Sequence, residues 1–152
     1  MIESVEVQEP DGLDAYADVI HLTEAVRALR TEAASLVAQL RGRKVWMVNS
    51  TSRGGGVAEM MPKLVSLLNE LGRCSERVAR CTELPGFDVL TKRQHILIHG
   101  TGAPALLDED RLLYAAVSSE NATELKQRLG PDDILVIHDP RVSHISGMGI
   151  CP

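Results

Sequence analysis

The chain has 152 residues, 44% hydrophobic and 24% charged, with a formal net charge of −5; this is the length and balance of one soluble globular domain. The acidic surplus excludes a general nucleic-acid binder, which needs clustered Lys and Arg against phosphates, and weighs against an anionic membrane surface. Aromatic residues make up only 3%, so the core must come from Leu, Val, Ile and Ala.

Residues 1–12 read as a flexible leader. They are acidic and carry no apolar signal core, and the chain has no apolar run long enough to span a membrane. A cytoplasmic location follows as the default. Cys74, Cys81 and Cys151 show no metal-type spacing, and their odd number suits reduced thiols.

Residues 13–41 predict one long helix. Val19, Leu22, Val26, Leu29, Ala33, Leu36, Val37 and Leu40 recur at spacings of three and four, and Gly42 is a natural stop. Such a stripe suits core packing first and an oligomer contact second. "KVWMV", residues 44–48, is the short apolar run of a strand buried on both faces. After the polar "NSTSRGGG", residues 57–72 predict a helix with Val57, Met60, Met61, Leu64, Leu67, Leu68 and Leu71 inward. Pro62 falls within its first two turns, and Gly72 closes it.

Residues 74–83 read as a weaker strand, and residues 88–99 as a short helix. Residues 101–130 carry one or two helices, with Asp108 as a cap and Leu112, Leu113, Ala116, Val117, Leu125 and Leu129 facing the core. "DDILVIHDP", residues 132–140, is an apolar strand with a polar end, and residues 141–152 have no clear period. Strands alternating with helices imply α/β architecture with a parallel sheet. In such sheets ligands sit beyond the C-terminal strand ends. Asn49 to Gly56 and His138 to Asp139 both fall there.

Gly54, Gly55 and Gly56 let a backbone turn tightly or let a second group come close. At a helix start they also present free amides and a positive dipole end. A plain tight turn and a ligand loop fit the pattern equally well. The stretch is neither a Walker loop nor a dinucleotide fingerprint, since Lys63 is too far on and position 59 is Glu. His138 reads either as a hydrogen-bonded strand-end histidine or as a ligand contact, and Asp139 as a turn cap or a ligand contact. His95 and His99 stand at i, i+4, a spacing that can bind metal, but no third ligand is evident and no metal is assigned. "NAT", residues 121–123, matches a glycosylation acceptor by chance, given the missing secretory signal.

"VWMVNSTSRGGGVAE" closely resembles the opening of the trehalose synthase and trehalose phosphorylase group of retaining glycosyltransferases, within glycosyltransferase family 4. Val45, Trp46, Asn49, Ser50, Thr51, Gly54, Gly55, Gly56, Val57, Ala58 and Glu59 all match that run. "FDVLTKRQHILIHG" shares Phe87, Thr91, Lys92, His95 and Gly100 with a second family segment, and departs at Asp88, Ile96 and His99, where the family tends to have Phe, Asn and Gln. "HDP" matches a third, with Arg141 in place of a Gln.

The resemblance covers residues 13–140. It implies part of a Rossmann-like, acceptor-side N-terminal domain of a two-domain enzyme, with residues 141–152 a divergent tail. The second domain, with its basic pair and paired glutamates, is absent from this sequence, so the expectation is a fragment inactive alone. The implied reaction is glucosyl transfer between a nucleotide-glucose, or glucose phosphate, and glucose, without a cofactor or an assigned nucleophile. The implied substrate-binding residues are Asn49, Ser50, Thr51, Gly54, Gly55, Gly56, Lys92, His95, His138 and Asp139. Expected partners are glucose or trehalose and the donor, with no nucleic acid or membrane, and a homodimer as a further option. A non-catalytic sugar- or nucleotide-binding module and an oligomerising interaction protein are the alternatives.

Overall fold

The structure, a computed structural model, describes residues 2–5, 12–52, 56–72, 75–80 and 86–138, with Ser75–Arg80 described as backbone. The elements in chain order are β1 (Ile2–Ser4), α1 (Leu13–Ala17), α2 (Thr23–Gln39), β2 (Val45–Asn49), α3 (Gly56–Glu70), β3 (Ser75–Arg80), α4 (Phe87–His99), α5 (Asp108–Lys126) and β4 (Ile134–Ile137). Four strands form one sheet in the order β1-β3-β2-β4. β2 runs parallel to both β3 and β4. The fold is therefore mixed α/β around a small parallel sheet, as the alternating pattern predicted.

β2 lies at the centre because its apolar run can be buried on both faces. Trp46 and Val48 point to one side, where they meet Ala122 and Leu125 of α5, with Leu135 and Ile137 of β4 alongside. Met47 points to the other side, against Met61 and Val65 of α3, with Val45 and Val136 beside it. α4 forms a further layer, packing Phe87 and Leu90 on Val117 of α5. Arg93 Nη1 of α4 donates to Asp110 Oδ2 at 2.8 Å. The same oxygen accepts from Leu107 N at 2.9 Å, so Asp110 both caps α5 and ties it to α4. The expected cap, Asp108, is instead the first helical residue.

The register of β2 against β4 is pinned at one carboxylate. Asp133 accepts from Lys44 N at 3.0 Å, from Trp46 Nε1 at 2.8 Å and from Gly130 N at 2.8 Å. Trp46 is almost fully buried, so its indole N–H needs that acceptor. Burial alone would push the Asp133 carboxyl up. The bonds from Trp46, Gly130 and Lys44, with the Lys44 charge, outweigh it and hold the group below its ordinary value.

Three expectations are corrected. The single helix over residues 13–41 is two helices, α1 and α2. The Thr23 hydroxyl donates to Ala17 O at 2.7 Å, capturing the end of α1, in a stretch where the β-branched Val19 and Ile20 disfavour helix. The pair folds back so that Arg30 of α2 reaches Asp14 of α1 at 2.8 Å and Glu70 of α3 at 3.1 Å. Several residues expected inward face solvent: Val19, Leu29 and Leu36, Val57 and Met60 on α3, and Leu112 and Ala116 on α5. Within the stretch read as a leader, Ile2–Ser4 add an antiparallel strand beside β3. Arg128 holds it, donating to Ile2 O and Ser4 Oγ at 2.8 Å each. Three residues with one buried side chain carry too little pattern to read as a strand from sequence.

Gly72 and Gly100 adopt φ of +86° and +66° after α3 and α4, the left-handed stops that glycine supplies without strain. Asn121 is fully buried within α5, which removes it as a glycan acceptor. Among the described residues no helix is long and apolar enough to cross a membrane. Cys74, Cys81, Cys151 and the 141–152 tail lie outside the described residues.

Candidate functional site

Parallel pairing brings the C-terminal ends of β2 and β4 side by side. Val48 pairs with Ile137, and His138 N continues the ladder by donating to Val48 O at 2.8 Å. Asn49 and His138 are therefore the next matched positions. Side chains alternate along a strand. Met47 and Val136 face α3, so Asn49 and His138, each two residues on, face α3 as well.

α3 returns antiparallel to β2, which sets its first turn, opening at Gly56, beyond the same strand ends. Its free amides and positive dipole end point to that side. Asn49, 2% exposed, uses its Nδ2 to bond Thr51 O at 3.1 Å. This bond turns the chain at once after the strand and leaves the amide oxygen as an acceptor. His138 Nε2 is buried and has no hydrogen-bond partner among the described residues. A buried imidazole nitrogen without a partner is costly unless something else meets it. Ser50 and Thr51 are half-buried and already engaged in interactions of their own.

Gly56 has an ordinary helical backbone, since it is absent from the positive-φ glycines. A side-chain carbon placed there would meet nothing within 4 Å. Neither conformation nor crowding in the described structure demands glycine at this position. What glycine does supply is room for a second molecule to approach the helix start. Gly54, Gly55 and Asp139 lie outside the described residues.

Lys92 and His95 stand elsewhere, exposed on α4. That helix packs on α5, on the opposite side of the sheet from α3. The structure thus brings together Asn49, His138, the polar turn after β2 and Gly56, and sets Lys92 and His95 apart from them. Sequence reading missed a further buried polar group. Ser118 Oγ and Asn121 Oδ1 of α5, and Gln94 Oε1 of α4, are buried without partners among the described residues. Ser118 and Asn121 share the face of α5 that carries Val117, Ala122 and Leu125. The signal was present as two polar residues at the core-facing period of α5.

Residues 47–149 match the family described as the N-terminal domain of trehalose synthase. The chain is 36% identical to trehalose synthase of Rubrobacter xylanophilus over 115 residues, 76% of this chain and 27% of that protein. It is 33% identical to trehalose synthase of Thermococcus litoralis over 136 residues, 88% of this chain and 30% of that protein. It is 37% identical to trehalose synthase of Pyrococcus horikoshii over 106 residues, 68% of this chain and 24% of that protein. The chain therefore spans less than a third of the length of the curated relatives it matches.

Proposed function

Because the chain belongs to the family of trehalose synthase N-terminal domains, we propose that it supplies the acceptor side of a retaining glucosyltransferase of trehalose synthesis or phosphorolysis. Residues 13–140 form part of the acceptor-side, Rossmann-like domain of a two-domain enzyme. The reaction is glucosyl transfer between nucleotide-glucose, or glucose phosphate, and glucose. The rest of the cleft belongs to sequence this chain does not match, so the chain alone binds without turning over.

The observation that carries this reading is the juxtaposition of Asn49 and His138 at adjacent strand ends, with His138 Nε2 buried and without a partner among the described residues. A glucose molecule offers a ring of hydroxyls that donate and accept at once. An imidazole nitrogen and a carboxamide oxygen are matched to such groups. The amides at the start of α3 suit the negative charge that gathers on a departing phosphate, provided they are preorganised. Gly54, Gly55 and Asp139 enter the proposed contact set through the family resemblance alone, together with Ser50 and Thr51. Lys92 and His95 stand on α4, across the sheet from these groups, and are left out of the proposed contact set.

The test is a two-dimensional amide NMR titration with glucose, trehalose and UDP-glucose. Saturable shifts centred on Asn49, Gly56 and His138, abolished in His138→Ala, support the proposal. A well-dispersed spectrum that ignores all three ligands refutes it.

A second reading has one observation in its favour. Ile20, between α1 and α2, is 92% exposed, and Leu36 of α2 is 53% exposed. An apolar surface on that hairpin would serve self-association, as a homodimer or an interaction protein requires. Sedimentation of the chain and of Ile20→Asp separates this reading from a monomer.

A further inference from the structure

His95 and His99 occupy successive turns of α4, and their rings already converge, with centroids 4.2 Å apart and planes tilted by 53°. Both side chains are exposed. The pair is not a core contact, because the buried face of α4 is made by Phe87 and Leu90. We infer that His95 and His99 form a two-point chelate for a divalent transition-metal ion of the Zn²⁺, Ni²⁺ or Cu²⁺ class.

Imidazole is the side chain that suits these ions, in the affinity order Ni²⁺ < Cu²⁺ > Zn²⁺. A helix turn sets residues i and i+4 on one face, so one ion bridges both rings without moving the backbone. The location favours a cation. His99 is the last residue of α4, and Gly100 follows in the left-handed conformation, so the carbonyls of the final turn and the negative end of the dipole lie next to the site. Two groups sit on the same face nearer the helix start. Lys92, one turn before His95, opposes a second positive charge, but it is exposed and its flexible stem lets the ammonium stay in water. Asp88, one turn further back, contributes the opposite sign.

Among the described residues no group of three or more His, Cys, Asp or Glu could hold a metal. The remaining coordination positions therefore go to water or to an oxygen-bearing ligand. Binding is weaker than at a four-ligand structural site, and exchange is fast. The consequence is local: the ion clamps two turns at the C-terminal end of α4, just before the 100–107 connection to α5. The inference does not rest on the sugar reading, and its test contains no sugar.

The experiment is a titration of the full chain with ZnCl₂, followed by long-range proton–nitrogen NMR of the imidazoles. That readout is needed because the chain also holds three cysteines and three other histidines. The expected result is a saturable, one-to-one shift of one ring nitrogen in each of His95 and His99. His99→Gln and His95→Gln, both at exposed positions, should each abolish saturation at the remaining ring while leaving the amide spectrum dispersed. Shifts confined to other histidines, or an unchanged response in His99→Gln, would overturn the inference. So would a response at His95 and His99 that rises linearly without saturating.

Discussion

Asp133 shows how one side chain can hold two strands in register. It gathers two backbone donors and an indole N–H at the point where β4 begins beside β2. Asp133→Ala leaves Trp46 Nε1 buried without an acceptor, and should cost about 1–3 kcal/mol of stability in urea unfolding. The pH dependence has a definite sign. A carboxyl held below its ordinary value of 3.8 stabilises the fold fully above that value. The contribution is lost as pH falls through the lower folded-state value. Urea midpoints followed from pH 7 downward should fall in that acid window for the parent chain, and more shallowly for Asp133→Asn. Gly56 makes the opposite kind of residue-scale case. An added methyl there meets nothing within 4 Å and removes backbone freedom from the unfolded chain. Gly56→Ala should therefore leave stability unchanged or raise it by up to about 1 kcal/mol, while weakening the response to glucose and UDP-glucose. A variant that binds as well as the parent would show that the glycine leaves no room a ligand uses.

Helix α5 shows what sequence could and could not reveal at the scale of an element. Helix in this stretch follows from its period, yet whether it is one helix or two and which way it faces do not, because Leu112, Leu113, Ala116 and Val117 offer two overlapping stripes. Packing selects the stripe through Val117, Ser118, Asn121, Ala122 and Leu125, which contains two polar residues that a hydrophobic reading passes over. Leu112 is left 72% exposed. Leu125→Ala should cost about 2–5 kcal/mol, since it empties a fully buried site between helix and sheet. Leu112→Ala should stay within about 0.5 kcal/mol. Equal effects would mean that α5 faces the other way. β2, α3 and β4 were legible because an apolar run and a 3.6-residue period each admit one reading. The break between α1 and α2 was not, because the apolar spacing continues through it while Val19, Ile20 and the Thr23 hydroxyl act against it. The candidate site divides in the same manner. The pairing of Asn49 with His138 depends on parallel register across some ninety residues, and only the rule about strand ends pointed to it. The i, i+4 spacing of His95 and His99 was plain in the sequence, but the convergence of their rings was not.

For the whole molecule the question is what a sheet whose β4 edge pairs with no further described strand, together with outward apolar surface, does in water. β4 is four apolar residues, all only half-buried, and pairs with β2 alone among the described strands. Natural edge strands commonly carry a charge, a proline or a cover, and Ile134–Ile137 has neither charge nor proline. Elsewhere, the α4–α5 layer exposes Val89, Ile98, Leu106, Leu107 and Leu112. Scattered apolar residues are normal on a surface. Several on two packed helices and their connection favour contact with further polypeptide, as does an apolar strand that pairs on one side only among the described residues. The relatives are more than three times longer than the segment matched here, which fits a surface that further polypeptide would cover. The chain by itself should therefore associate as its concentration rises. Sedimentation velocity over a wide concentration range should show a growing faster component. Ile98→Glu with Leu112→Glu should suppress that component while keeping the amide spectrum dispersed, because the two side chains are 57% and 72% exposed and contribute little to the core. If the double variant sediments like the parent, association runs through the β4 edge or the α1–α2 hairpin. If the parent stays monomeric at every concentration, the exposed apolar surface is tolerated as ordinary solvent-facing area, and the α4–α5 layer is no contact face.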